Sequence, residues 1–563
     1  MRGEPDIYLA YRPHENAKVP DNPSQSKKAE ATLETMHKIF TVPESEHSTL
    51  QRLDREISNN LHGFLSSRIV AGDIAPANLE QDYLDTRIPE NPLFVSEQVE
   101  FLLNKVVAQS VHTSAPSFIG HMTSALPYFM FPLAKIMMTL NQNVVKIETS
   151  KAFTPLERQV VGMLHRLVYE QSDDFYAQWT QSFTHSLGVV CSGGTIANVT
   201  ALWVARNRRL GPQGGFAGVA EEGMAAALRH AGVDGLAVLV SKRGHYSLGK
   251  AVDLLGLGKR QLVAVPVLGD HTIDVRALRR EIDALSARRI GILAVVGVAG
   301  ATETGTVDPL AELADIAAEH GAFFHVDAAW GGPTLFSRQR RHLLAGIERA
   351  DSVTLDAHKQ LYTPVGAGMV LFKDVQALAA VEHHANYVIR RGSRDIGKHT
   401  LEGTRAGMAM LVHSALRIIG KRGYELLIDH AIDKAAEFAQ MIQAEPDFEL
   451  ISRPVLNLLT YRYVPASARA VLETGSADQK GAMNEVLNSL NESIQKDQRA
   501  GGKTFVSRTR LETAAHAGQV LTVFRVVLAN PLTTPQILAD ILKEQRAHGE
   551  RSWREEGYGA SSR

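Results

Sequence analysis

Of 563 residues only one, Cys191, is a cysteine, so no disulfide can form within the chain. That fits a reducing compartment and leads to the expectation of a cytoplasmic protein. Excess charge is also missing: 60 Lys and Arg against 61 Asp and Glu leave a net charge of -1. Proteins that grip nucleic acid or membrane surfaces normally carry a basic excess, so neither partner is expected. Long apolar runs are scarce as well. The most apolar stretch, Leu126 to Leu140, is interrupted by Pro127, Pro132 and Lys135 and is shorter than the ~20 residues that span a bilayer. The first thirty residues are polar and contain prolines, without the apolar run of a signal peptide.

What remains is the composition of a globular enzyme, 44% hydrophobic, long enough for roughly two to four domains. Residues 1–45 read as a flexible arm in which Pro20, Pro23 and Ser24 sit among charges. Residues 46–150 read as an N-terminal helical segment, from spacings such as Leu50, Leu53, Ile57 and Leu61. From about Thr184 to Lys373 short apolar runs alternate with amphipathic helices. Strands are expected at Leu236–Val240, Leu262–Val267, Ile290–Val296, Ala322–Val326 and Ser352–Leu355, and helices at Val275–Leu285 and Leu310–His320. This alternation predicts an α/β fold with a mostly parallel sheet, here a large domain over 151–410. Two more strands, Val455–Tyr463 and Gln519–Leu528, and a helix, Pro535–Arg546, predict a smaller C-terminal α/β domain over 411–550. Within it 466–510 reads as a polar, partly helical insertion. Residues 551–563 read as a disordered tail.

Parallel sheets place ligands beyond the carboxyl ends of their strands, and three motifs fall there. Ser192-Gly193-Gly194-Thr195 follows an apolar run and opens a helix-like segment. Such a turn offers unpaired N–H groups, a positive dipole and close backbone approach to a phosphate; alone it reads equally as an ordinary turn and N-cap. In His325-Val326-Asp327-Ala328-Ala329-Trp330-Gly331-Gly332 a strand ends on Asp327. That residue suits a protonated ring nitrogen, with Ala329 leaving room for a ring face, but a metal ligand or a plain strand-end aspartate also fits. Asp356-Ala357-His358-Lys359 ends another strand. Lys359 there can form an imine if its surroundings make the amine nucleophilic, although a lone lysine is more often a surface residue. His245, in Arg243-Gly244-His245-Tyr246-Ser247, offers a flat ring, and Thr302, in Ala301-Thr302-Glu303-Thr304-Gly305, a hydroxyl donor. Asp308-Pro309 is expected to start the next helix. Order is what raises the odds: phosphate turn, strand-end aspartate, strand-end lysine.

This set resembles the group II pyridoxal-phosphate (PLP) decarboxylases, the family of glutamate, aromatic amino acid and histidine decarboxylases, from about Ser114 to Leu532. The resemblance implies the type I PLP fold, PLP as cofactor, no metal, and a homodimer with shared active sites. It implies that Ser192, Gly193, Gly194, Thr195, His245, Thr302, Asp327, Ala329, His358 and Lys359 bind the cofactor. Lys359, Asp327, His245 and Tyr387 would carry catalysis, the last from a loop reaching toward the neighbouring subunit.

Within the family the likeness is to the glutamate-decarboxylase-like branch, and more narrowly to the bacterial aspartate 1-decarboxylases that supply β-alanine for pantothenate synthesis. Pro116 to Pro127 resembles that branch's substrate-side segment, with His121 and Thr123 as candidate contacts. Phe524-Arg525 with Asn530-Pro531 resembles the segment whose arginine holds the substrate carboxylate through a planar fork. Arg405 is a further candidate for the side-chain carboxylate. Residues Ile389 to Lys398 depart from the animal glutamate enzymes. The expected reaction is L-aspartate to β-alanine and CO2. The alternatives are L-glutamate to 4-aminobutyrate, or another PLP lyase or aldehyde synthase on this fold.

Overall fold

The computed structural model describes residues 49–67, 70–72, 74–385, 389 and 392–555. The expected arm at 1–45 and Tyr387 therefore lie outside the described residues. The chain forms two compact units: residues 1–118 with 497–505, and residues 119–496 with 506–563.

In the first unit helices Thr49–Ser66, Pro76–Gln81 and Val95–Phe101 accompany a small core of Val70, Ala115, Phe118 and Phe505. Residues 497–505 join it through the Gly502 carbonyl, which accepts from Val70 N–H at 2.7 Å. Phe505 stacks on Phe118 with ring centroids 4.7 Å apart. Helix Met130–Leu140 belongs to the second unit, where Met130 and Met137 bury against Leu411 and Ala415.

The second unit is built on a seven-stranded sheet: β1 (Gly188–Cys191), β2 (Gly235–Ser241), β3 (Leu262–Val265), β4 (Ile290–Val298), β5 (Phe323–Asp327), β6 (Ser352–Asp356) and β7 (Gly368–Phe372). Its order is β1-β7-β6-β5-β4-β2-β3. All neighbours run parallel except β7, which is antiparallel to both β1 and β6. Helices on both faces leave these strands no solvated side, which is why β2, β6 and β7 are buried at every position.

Register brings the strand ends together. Cys191 pairs with Gly368, and Gly368 with Asp356; one strand further on, Thr354 pairs with Asp327 and Asp327 with Val298. Three of the motifs picked out in the sequence therefore share one sheet edge. Gly368 must lack a side chain, since a Cβ there would lie 2.5 Å from Gly193 Cα and 2.6 Å from Asp356 Oδ1.

A second, antiparallel sheet, ordered β10-β11-β9-β8, contains β8 (Phe448–Ser452), β9 (Leu458–Tyr463), β10 (Ser507–Glu512) and β11 (Val520–Val527). Helices Ala466–Thr474 and Ala477–Gly501 occupy the expected insertion. Helix Pro535–Glu555 runs past 551, and Trp553 is buried with the C-terminal core; residues 556–563 lie outside the described residues. Asp308 does not cap the helix Leu310–Glu319. It is buried and accepts from Ile273 N–H and Val298 N–H, both at 2.9 Å, tying a loop to the end of β4.

Candidate active site

A cavity of about 350 Å³ opens along this edge, lined among others by Ser192, Thr195, His245, Thr302, Asp327 and Lys359. Gly193, Gly194, Ala329 and His358 line it too, so every residue expected to hold the cofactor meets in one place.

At one end the turn after β1 leads into helix Gly194–Arg209, whose N-cap Gly193 has no side-chain cap. First-turn N–H groups and the dipole are left to an anion. The floor is tight: a Cβ at Gly194 would stand 2.8 Å from Asp356 Oδ2 and 3.4 Å from Ala329 Cβ. In this structure a carboxylate already uses part of the turn, as Ser192 N–H donates to Glu402 Oε2 at 3.0 Å.

In the middle, Asp327 is buried and accepts at both oxygens: from Asn198 Nδ2 at 2.9 Å and from Ala329 N–H at 3.2 Å. Lys359 Nζ sits 3.0 Å from Asp356 Oδ2, while Asp356 Oδ1 is buried without a hydrogen-bond partner among the described residues. His358 Nδ1 lies 2.9 Å from the Ala367 carbonyl. His245 Nδ1 lies 2.8 Å from Ser247 Oγ, and burial pulls this imidazole below its usual range while the Asp327 charge pulls the other way. The wall behind is locked by a ring of hydrogen bonds. Trp330 Nε1 donates to Asn457 Oδ1 (2.9 Å), Asn457 Nδ2 to Gln360 Oε1 (2.9 Å), and Gln360 Nε2 to the Trp330 carbonyl (2.7 Å).

The donor set fits PLP group by group. An anion cradle with a glycine floor suits the phosphate, Asp327 the pyridine nitrogen, Thr302 the ring hydroxyl and the Lys359 amine the aldehyde. Among the described residues no cluster of His, Cys, Asp and Glu could hold a metal ion.

The substrate side departs from expectation. His121, Thr123 and Arg525 do not line this cavity; Met122, between the first two, does. His121 is nonetheless near the site, since after burial the charges of Arg525, Lys359 and His358 hold its imidazole below the usual range. Arg525, on β11, is mostly withdrawn from solvent, and burial pushes its guanidinium down to about 10. Among the described residues it makes one long hydrogen bond, NH1 to Ser507 Oγ at 3.4 Å, and its Nε has no acceptor. Arg405 is not available for a substrate: it is buried in a two-point ion pair with Glu157, one arm 2.7 Å long.

Sequence reasoning missed Asn198, Asp356, Arg243 and Met122 as lining residues. Two of them carried a usable signal. Asn198 lies four residues after Gly194, hence on the same helix face as the glycine turn, and Asp356 is three residues before Lys359 in the same motif.

Residues 76–464 match the family model described as the pyridoxal-dependent decarboxylase conserved domain. The chain is 57% identical over 523 residues to the aspartate 1-decarboxylase of Aliivibrio fischeri, covering 93% of this chain and 96% of that one. It is 30% identical over 420 residues to the L-aspartate decarboxylase of Metarhizium robertsii, covering 73% and 79%. The crystal structure of mouse CSAD in apo form superposes with a TM-score of 0.76 at 26% identity, covering 89% of this chain and 99% of that one.

Proposed function

The chain belongs to the pyridoxal-dependent decarboxylases, and on that premise we propose that it converts L-aspartate to β-alanine and CO2. One observation carries the choice of aspartate: 57% identity, over nearly the whole chain, to an aspartate 1-decarboxylase. The general reaction, PLP-dependent decarboxylation of an amino acid, follows from the family.

Bound PLP supplies an electron sink for the pair left on the α-carbon when CO2 departs. The chain's own residues do the rest. Lys359, whose Nζ lies 3.0 Å from Asp356 Oδ2, would be the residue that holds the cofactor's aldehyde carbon. Asp327, fixed at both oxygens by Asn198 and the Ala329 N–H, would use its remaining acceptor capacity to keep the cofactor's ring nitrogen protonated. Thr302 and His245, both lining the cavity, would supply a hydroxyl donor to the ring hydroxyl and a flat ring against the cofactor. Arg525 takes a substrate carboxylate, a role supported by its charge and its unpaired Nε. His121 and Thr123 are the candidate contacts beside it. Tyr387, by its resemblance to the family's loop tyrosine, returns the proton to the α-carbon. Tyr387→Phe should then slow amine formation and divert part of the product to an aldehyde; unchanged rate and product would remove it from this role.

The protein is further read as a cytoplasmic homodimer whose copies complete each other's sites. Support comes from apolar side chains left bare in the second unit: Val365, which lines the cavity, is 76% exposed, and Tyr128 83%. Sedimentation should give a dimer, and co-expressed Lys359→Ala and Tyr387→Phe chains should form amine faster than either variant alone. No such gain would mean unshared sites.

The test of the reaction is CO2 release by the PLP-loaded protein from L-aspartate, L-glutamate, L-cysteine sulfinate and aromatic amino acids, with products identified. β-Alanine from aspartate in large excess over other amines is expected. 4-Aminobutyrate or hypotaurine as the main product would overturn the substrate and keep the class.

A further inference from the structure

The bond from Asn198 to Asp327 is one link of a longer buried chain of hydrogen bonds. Asn198 is 1% exposed and spends both ends of its amide inside the protein. Nδ2 lies 2.9 Å from Asp327 Oδ2 and 3.0 Å from Ser247 Oγ, and Oδ1 lies 3.1 Å from His325 Nε2. His325 Nδ1 in turn lies 2.8 Å from Ser352 Oγ, and Ser247 Oγ 2.8 Å from His245 Nδ1.

The direction of every bond follows from one fact: a carboxylate only accepts. Facing Asp327, Asn198 must present its NH2, so its carbonyl faces His325. That carbonyl also only accepts, so His325 carries its proton on Nε2. Burial holds this ring down to about 4; it is neutral at pH 7, and its bare Nδ1 accepts from the Ser352 hydroxyl. On the other arm the second Asn198 N–H goes to Ser247 Oγ, leaving the Ser247 hydroxyl proton for His245 Nδ1. A second donor agrees: Ser247 N–H also points at His245 Nδ1, at 3.3 Å. With two donors aimed at it, Nδ1 is the unprotonated nitrogen.

We infer that Asn198 is a positioning residue with two outputs, fixing the carboxylate of Asp327 and, through Ser247, the tautomer of His245, which keeps its proton on Nε2. The strand-end aspartate and the ring-covering histidine are then one unit, set from Ser352 through His325 and Asn198. His245 enters the site as an N–H donor at Nε2 and not as a base. The inference extends the proposed function in taking these two residues to meet the cofactor, but the tautomer does not depend on that reading.

The test is nitrogen-15 NMR of the full-length holoenzyme labelled at histidine, with the His245 signals assigned by their loss in His245→Gln. Native protein should show His245 protonated at Nε2. Ser247→Ala, which removes one oxygen and leaves the backbone donor, should give a mixture of tautomers. It should also lower kcat by on the order of tenfold with KM for aspartate unchanged. Asn198→Ala should do the same and, in addition, shift the visible absorption of the bound cofactor and cut kcat by about 10- to 100-fold. A native His245 protonated at Nδ1, or a Ser247→Ala ring still wholly Nε2–H, overturns the inference even if aspartate is decarboxylated. Conversely, the expected tautomers in a protein inactive on aspartate would overturn only the substrate.

Discussion

At the strand ends of the large sheet, Asp327 accepts hydrogen bonds at both oxygens from Asn198 and from the chain itself. On the antiparallel sheet, Arg525 keeps a buried Nε with no acceptor and makes one 3.4 Å bond to Ser507. The first half is organised by protein partners before anything binds. The second holds a largely desolvated guanidinium that, among the described residues, feels the Glu303 charge but has no carboxylate hydrogen-bonded to it. Groups that must stabilise developing charge gain most when their geometry is fixed in advance, whereas a group that recognises a ligand must leave its best partner to the ligand. The contrast thus separates chemistry from recognition, and each prediction below presses on one side of it.

The largest effect belongs to the organised half. Asp327→Ala should reduce kcat by about 10²–10³-fold, comparable to losing a preorganised donor in other active sites. It should also destabilise the fold, because Asn198 and the Ala329 N–H lose an acceptor. Steady-state kinetics with a urea unfolding curve would show both losses together. A kinetic loss without any fall in the unfolding midpoint would mean that the network does not hold Asp327.

Arg525→Met should behave in the opposite sense. Its kcat/KM on aspartate should drop on the order of a hundredfold, chiefly through KM. The unfolding midpoint should stay level or rise, since the desolvation of this cation outweighs the opposing Glu303 charge and costs stability. Arg405→Met is the control from the same family of side chains. It strands Glu157 in the core and should cost about 3–5 kcal/mol of stability while KM for aspartate is kept. If Arg525→Met unfolds the protein as readily as Arg405→Met, the two halves are not different in kind.

Acid should strike the organised half first. The His325 ring is held down to about 4, so the unfolded chain takes up its proton near 6.5 while the native state does not. Stability is therefore full above about pH 6.5 and is lost as pH falls toward 4, by up to ~3 kcal/mol for this ring. His165 and His399, also held down to about 4 by burial, act in the same direction. Urea midpoints at pH 7.5 and 5 would measure the sum, and the difference between wild type and His325→Gln isolates the ring behind Asp327.

The same contrast explains what could be read from the sequence. The strand-end residues are legible because β-strand register converts short local motifs into one edge: Gly368 between Cys191 and Asp356, Asp327 between Thr354 and Val298. Apolar runs on both sides of each motif announce the buried strands that carry them. The stretch 466–510, read only as polar and partly helical, holds helices Ala466–Thr474 and Ala477–Gly501. Strand β10 (Ser507–Glu512), by contrast, alternates Arg and Thr with few apolar residues, and nothing local reveals that Ser507 would face Arg525. Arg405 looked available because charge is visible in a sequence while its partner, Glu157, lies 248 residues away. Recognition residues arrive from distant segments by packing, and composition does not record which cation is already spent.

The smallest expected effect is the one that decides how far the recognition half extends. Thr123 has a buried hydroxyl with no hydrogen-bond partner in the structure, next to Met122, which lines the cavity. An unsatisfied buried hydroxyl costs stability, and replacing it by an apolar group of the same shape is nearly neutral or stabilising. Thr123→Val should therefore change the unfolding free energy by less than about 1 kcal/mol, upward if at all. The kinetics carry the information. If Thr123, like Arg525, is kept unpaired for the substrate, the same variant should raise KM for aspartate several-fold, the cost of one neutral hydrogen bond, and leave kcat near its original value. A stabilised protein with unchanged KM would confine recognition to Arg525 and His121, and would make the orphan hydroxyl a packing feature and not a contact.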